Sequence, residues 1–245
     1  MVHTIIWAIY FILYLIVVSP VMLYCRHQIK KGNREKVMPL VKHMAYHWAD
    51  RLLWAAGAKI EVIGQENIPE GTAVFVANHQ SDFDIPVVLT QTGDPRALLA
   101  KVSLSKIPGL RGWMDLLQCV YVDRSDEKQS LRALMDSTKL VKSGVSMTIF
   151  PEGTRSKGGP VKEFKGGAFR IATSAKVPVV PISIEGTYHL LEERNRIHSG
   201  TVRVTIHEPI PTAGMSRQEV RELPGRVRQQ ILSVMDDKYK GQEDN

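Results

Sequence analysis

The sequence is poor in the features that mark several common protein classes. Of its 245 residues only two are cysteine, Cys25 and Cys119, one closing an apolar run and the other in a predicted strand. Neither a disulfide framework nor a zinc-binding spacing is visible, which fits a reducing compartment. There is no internal repeat, no long linker and no recognisable nucleic-acid-binding motif, so the net charge of +7 does not point to DNA or RNA. That charge fits an anionic lipid, a phosphorylated substrate, or a solvated basic surface with no single partner.

A second absence is local. Residues 5–24, IIWAIYFILYLIVVSPVMLY, carry no formal charge over twenty positions. As one helix they would span about 30 Å, the thickness of a hydrocarbon core, with Pro20 expected to bend the last turns, which a membrane helix tolerates. The preceding MVHT contains no Lys or Arg, whereas Arg26, Lys30, Lys31, Arg34 and Lys36 follow the run. A cleaved signal peptide wants the reverse order, so the segment is expected to be a membrane anchor, with the rest of the chain in the cytoplasm. A helix lying partly inserted in one leaflet is the alternative. Residues 37–58 carry apolar side chains three and four apart and predict a second helix. It is either a surface-lying helix folded back on the first or a plain core helix. His43 and His47 have the spacing of a metal pair, but Met44 stands where a zinc protease needs Glu.

From Lys59 the texture becomes β-rich runs alternating with helical ones. Strands are expected over 59–64, 73–77, 97–101, 119–122, 146–150, 179–185 and 201–207. Helices are expected over 85–91, 104–117, 127–142, 167–175 and 217–238. This alternation predicts an α/β domain over 59–245 with a largely parallel central sheet flanked by helices, preceded by a membrane-associated two-helix segment over 1–58. The tail GQEDN is polar and expected to fray.

Three constellations carry chemistry, and they fall at predicted strand ends, where open α/β sheets bind ligands. NHQSDFD, 78–84, follows the apolar AVFVA. His79 and Asp84 would sit about 140° apart on a straight helix, so they meet only across a turn. They then form a base and its orienting carboxylate. Alternatively Asp84, Ser81 or Asp82 caps a helix beginning near Pro86. FPEGTRSKGG, 150–159, offers the Arg155 guanidinium and the backbone donors of a Gly-containing turn to a phosphate, with Glu152 placed to accept from a polyol. A basic surface loop is the other reading. FKGGAF, 164–169, places Lys165 at a helix start, where anions are also favoured.

In this order these blocks resemble the glycerolipid acyltransferase family, and among its members the bacterial 1-acyl-sn-glycerol-3-phosphate acyltransferases. His79 and Asp84 match its His, four residues, Asp. The stretch 101–124 supplies its Lys101, Pro108, Gly112 and Arg124, FPEGTRS stands intact over 150–156, and VPVVPI matches its apolar proline block. The resemblance implies acyl transfer from acyl-carrier protein or coenzyme A to a membrane lipid, lysophosphatidic acid, giving phosphatidic acid. It implies His79 as general base and Asp84 as its orienter. It also implies substrate contacts from Lys101, Arg124, Glu152, Gly153, Thr154 and Arg155, with no metal and no cofactor beyond the thioester. Acylation of glycerol 3-phosphate or another lysophospholipid is the sibling activity. A lipid phosphate phosphohydrolase with His79 as nucleophile, and a non-catalytic lipid-binding protein, are the readings from other classes.

Overall fold

The computed structural model describes residues 1–241, so the last four residues of the tail expected to fray lie outside the described residues. Seven strands form one sheet: β1 (Ala58–Ile63), β2 (Val74–Ala77), β3 (Ala97–Lys101), β4 (Val120–Val122), β5 (Met147–Ile149), β6 (Val179–Glu185) and β7 (Gly200–Ile206). Their order is β1-β7-β6-β2-β5-β3-β4. All expected strands are present, and five neighbouring pairs are parallel. The exception is β6 against β7, which pair antiparallel, so β1 and β7 run opposite to the other five.

Strands buried on both faces need continuous apolar sequence, and β2 and β6 are buried at every position. Alternate residues then serve two cores. Phe75 and Ala77 pack on one side with α3 (Arg34–Ala56), α4 (Asp84–Gln91) and α5 (Leu110–Leu116). Val74 and Val76 pack on the other with α6 (Glu127–Lys142), α7 (Gly166–Ala175) and α8 (Arg217–Leu232). The result is a three-layer α/β/α domain.

Two helical expectations are corrected, and the bend expected at Pro20 is present: α1 (Val2–Val17) and α2 (Ser19–Lys30) break at Val18 and bend by 41°. Pro20, in the first turn of α2, lacks the N–H that would continue the ladder. Among the described residues no single helix is long and apolar enough to cross a membrane, and this bent pair passes that test only jointly. The expected helix 104–117 is a 3-10 turn, Val102–Lys106, followed by α5. Pro108 and Gly109, the latter at φ +78°, interrupt it. The last long helix stops at Leu232, before a 3-10 turn at Asp237–Tyr239.

Helix α3 is both a core helix and the partner of α1. Val41, Ala49 and Ala56 are fully buried in the first core. Trp7 Nε1 donates to Leu52 O at 3.2 Å, and Tyr14 Oη and His47 Nδ1 lie 2.9 Å apart. Residues 1–58 thus share a core with the sheet rather than standing apart from it. The outer face of α1 is uncovered: Ile5, Ile6, Ile9, Ile12, Leu13 and Ile16 are each more than half exposed.

Candidate active site

Five parallel strands, β2 to β6, end on one edge of the sheet, and the loops that follow them build the site. Asn78, just past β2, uses its amide as an extension of the ladder. Its Nδ2 donates to Ile184 O and its Oδ1 accepts from Ile184 N, both at 2.8 Å. Gly186 N donates to Gln80 Oε1 at 3.0 Å. These bonds fix the start of the turn between them.

The turn brings His79 Nδ1 to 2.7 Å from Asp84 Oδ2. Asp84 is fully buried. Its Oδ2 also accepts from the backbone N–H of Gln80 at 2.7 Å and Ser81 at 2.9 Å, and its Oδ1 accepts from Thr187 Oγ1 at 2.5 Å. The carboxylate therefore organises the turn instead of capping α4, whose N-cap is Phe83 and receives no side-chain cap bond. Four donors hold a buried carboxylate, and the Nδ1–H bond leaves Nε2 of the neutral ring as the acceptor. His79 lines a cavity of about 1130 Å³, and Phe150 stacks on its ring with centroids 4.4 Å apart.

Beyond β5, Glu152 is almost completely buried. It does not line the cavity. Its Oε1 accepts from His79 N at 2.6 Å and its Oε2 from Lys162 N at 3.0 Å. Burial pushes its carboxyl above the usual range, against the pull of those two N–H groups and of His79. The structure therefore gives Glu152 a different place from the polyol contact expected of it: both oxygens are used in tying the two loops together. Ser156 N adds a bond to His79 O at 2.7 Å.

Lys101, Arg124, Gly153, Thr154 and Arg155 all line the cavity beside His79. Gly153 sits at φ +79°, and a Cβ there would lie 3.1 Å from Lys165 Nζ and 3.5 Å from Arg124 Nη1. Its lack of a side chain lets two cations close on the loop. Burial lowers the Arg124 guanidinium from its ordinary value, and among the described residues no carboxylate pairs with it. Arg155 differs. It donates to Asp82 and, at 3.1 Å, to Glu192 Oε1. Glu192 also accepts from Ser81 Oγ at 2.5 Å and Asp82 N at 2.9 Å. Thr187 and Glu192 are the residues that sequence reasoning missed; both follow the expected strand 179–185, and nothing in their spacing to His79 announces them.

The cavity continues away from His79 between apolar walls. Trp7, Phe11 and Leu15 of α1, Met44 and Trp48 of α3, and Leu89 of α4 are among them. At about 1130 Å³ it is slightly larger than the roughly 300–1,000 Å³ usual for small-molecule pockets. One end is cationic with a positioned base, and the rest suits a hydrocarbon chain.

The comparisons with known proteins agree with this geometry. Residues 59–185 match the Acyltransferase family model. The chain belongs to the acyltransferase family. This acyltransferase is 30% identical over 186 residues to the 1-acyl-sn-glycerol-3-phosphate acyltransferase of Borreliella burgdorferi, covering 75% of this chain and 74% of the other. It is 30% identical over 161 residues to the probable 1-acyl-sn-glycerol-3-phosphate acyltransferase of Mycoplasma pneumoniae, covering 64% and 60%. The crystal structure of the 1-acyl-sn-glycerophosphate (LPA) acyltransferase from Thermotoga maritima superposes with a TM-score of 0.70 at 32% identity, over 94% of this chain and 98% of that one. The matched regions span 49% to 60% of the first three curated relatives. The acyltransferase family match begins at Lys59, whereas part of the apolar wall of the cavity, from Trp7 to Leu52, comes from residues before it.

Proposed function

We propose that this acyltransferase moves a fatty acyl chain from acyl-carrier protein or coenzyme A to the sn-2 hydroxyl of 1-acyl-sn-glycerol 3-phosphate, giving phosphatidic acid for phospholipid synthesis. The observation that carries the reading is the continuity of the cavity, from apolar walls to the His79–Asp84 pair and the cations around Gly153. His79 Nε2 takes the proton of the acceptor hydroxyl as its oxygen attacks the thioester carbonyl. The tetrahedral intermediate collapses, the C–S bond breaks, and the imidazolium returns the proton to the departing thiolate. Asp84 stabilises the imidazolium between these steps. A thioester is already activated, so one base suffices without a covalent enzyme intermediate.

Lys101 and Arg124, with Lys165 close behind Gly153, hold the phosphate of the acceptor. Thr154 and Arg155 stand at the rim. Asp82 and Glu192 hold Arg155 through Nη1 alone, which orients the guanidinium and leaves its other N–H groups to a phosphate. The exposed apolar face of α1 rests in the cytoplasmic leaflet, and the catalytic domain faces the cytoplasm. The basic residues after α1 meet the anionic membrane surface. In this arrangement the lipid acceptor enters from the bilayer and the thioester from water.

The test offers purified enzyme lysophosphatidic acid or glycerol 3-phosphate, each with acyl-carrier-protein or coenzyme A thioesters, and follows products by mass. Turnover should appear with lysophosphatidic acid. His79→Ala should lose about 10²–10⁴-fold in rate, the usual contribution of a positioned acid–base group. Near-native turnover by a folded His79→Ala enzyme would overturn the mechanism, and acylation of glycerol 3-phosphate alone would reassign the acceptor.

A further inference from the structure

Where α2 crosses the segment between β3 and α5, a second cavity of about 490 Å³ opens. Ile107 lines both cavities, so the two are neighbours. Three cations line the smaller one, each from a different segment: Arg26 of α2, Lys106 of the 3-10 turn and Arg111 of α5. Its acid, Asp115, is already engaged. It accepts from Tyr121 Oη at 2.9 Å and faces Arg111 Nε at 3.7 Å. Among the described residues Arg26 and Lys106 have no carboxylate within ion-pair distance. Three cations around a concave surface favour an anion, and two of them are guanidinium forks suited to phosphate.

The floor of this cavity is set by tight packing. A Cβ on Gly112 would lie 2.1 Å from Met22 Sδ, and one on Gly109 would lie 3.6 Å from Leu15 Cβ. The two glycines seat α1 and α2 on the Pro108–Gly112 segment, which fixes Arg26 relative to Lys106 and Arg111.

Its depth is set by the end of the apolar surface. Exposed apolar side chains run along α1 and on to Leu23 and Tyr24. Arg26 begins the charged stretch two residues later, about 3 Å further along the helix axis at 1.5 Å per residue. A cationic cavity at that level lies where hydrocarbon gives way to headgroups.

We propose that this cavity is a second lipid-phosphate site, holding the headgroup of an anionic phospholipid of the surrounding bilayer beside the catalytic cavity. It rests on the placement of α1 in the leaflet and not on the acyl-transfer reading. The lipid's chains lie along the exposed apolar side chains of α1 and α2. Its phosphate is taken by Arg26, Lys106 and Arg111. A zwitterionic lipid binds less well, because its own cation enters a field that is already positive.

The test is lipid retention by full-length protein in mild detergent, read by native mass spectrometry without turnover. The probes are phosphatidylglycerol, phosphatidylcholine of the same chains, and inorganic phosphate. Phosphatidylglycerol should be retained at one more copy than phosphatidylcholine. Arg26→Gln/Lys106→Gln/Arg111→Gln should weaken that copy at least tenfold, the scale of a lost charge-assisted bond. The single variant Arg26→Gln, on an exposed helix face, should weaken it measurably with an unchanged melting curve. The same charge removed at Lys30, Lys31 and Lys36 should leave it within twofold. Equal loss in that control would reduce the effect to diffuse attraction and overturn the site. So would unchanged binding in the triple variant, or equal retention of phosphatidylcholine. Competition by inorganic phosphate at the potency of the lipid would reassign it to a free anion. Because no acylation is measured, a failure here is separate from a failure of the acyl-transfer reading.

Discussion

Thr187→Val tests how the catalytic pair is held. The change is nearly isosteric and removes one hydroxyl from a fully buried position. That hydroxyl is the single donor to Asp84 Oδ1, whereas Oδ2 has three. A hydrogen bond to a charged group contributes about 1.5–3 kcal/mol, or roughly ten- to 150-fold if all of it were expressed in the rate. Three donors still hold the other oxygen, so the loss should lie at the low end, about tenfold in kcat. Thr187 is fully buried and does not line the cavity, so KM for thioester and acceptor should stay within about twofold of wild type, as uniform binding is untouched. Thr187→Ser should recover most of kcat, since it restores the donor and loses only a methyl group. The assay is steady-state turnover with each substrate varied in turn, beside thermal melts of all three proteins. A folded Thr187→Val enzyme with wild-type kcat would refute the reasoning. A serine variant as slow as the valine one would assign the effect to packing.

Three further outcomes follow from other contacts. Glu192→Gln keeps the shape but gives one acceptor oxygen where three donors converge, so acceptor kcat/KM should fall about tenfold with donor KM unchanged; a donor-specific defect would refute this. Gly158→Ala places a Cβ 2.4 Å from Tyr188 Cε2 at φ +89°, so a loss of about 1–3 kcal/mol of stability and a lower melting temperature are expected, and an unchanged melt would contradict it. His207 gives a pH dependence. Ser183 Oγ donates to Ile231 O at 2.7 Å and therefore accepts from His207 Nε2 at 2.8 Å, and burial lowers the imidazole from its ordinary value. The unfolded chain then takes up the proton first as pH falls below about 6.5, so stability present above that pH is lost on acidification. The fall in melting temperature between pH 7.5 and 5.5 should be shallower in His207→Gln, and parallel slopes would exclude the histidine as its source.

Most strands were legible because they are short apolar or alternating runs rich in β-branched residues between turn residues, β3 (ALLAK) being the exception without any. Their alternation with helices also announced a largely parallel sheet; what the sequence does not carry is the one reversal of direction. The reversal between β6 and β7 depends on where the chain returns after residue 190. Only the alternation of buried and exposed residues in β7 hints that it lies toward an edge. One helix failed where a local rule was underweighted, since Pro108-Gly109 splits the expected 104–117 helix, whereas the bend in the apolar run was legible from Pro20. The His79–Asp84 pair was legible because only four residues separate it, and Gln80, Ser81 and Asp82 among them supply turn chemistry. Thr187 lies 103 residues from Asp84, and Glu192 lies 111 from Ser81. No pattern of spacing can show contacts made by the order of strands. Arg155 was legible as a cation but not as one held by two carboxylates, since both partners come from other loops.

The long reach of α1 has a consequence for how the enzyme is made. Thr4 Oγ1 accepts from Ile197 N across 193 residues, and β1 finds its neighbour only when β7 is present. Synthesis proceeds from the N-terminus, and non-local contacts form late. Helix α3 can cover one side of the first helix once residue 56 has been made, but the loop at Ile197 arrives only near the end, and the outer face of the helix is apolar throughout. If the outer face of α1 rests in a leaflet, as proposed above, lipid can cover that face before the domain closes. A chain made without membranes would meet its own copies during that interval, so its yield would be governed by aggregation of the nascent helix rather than by the stability of the finished fold.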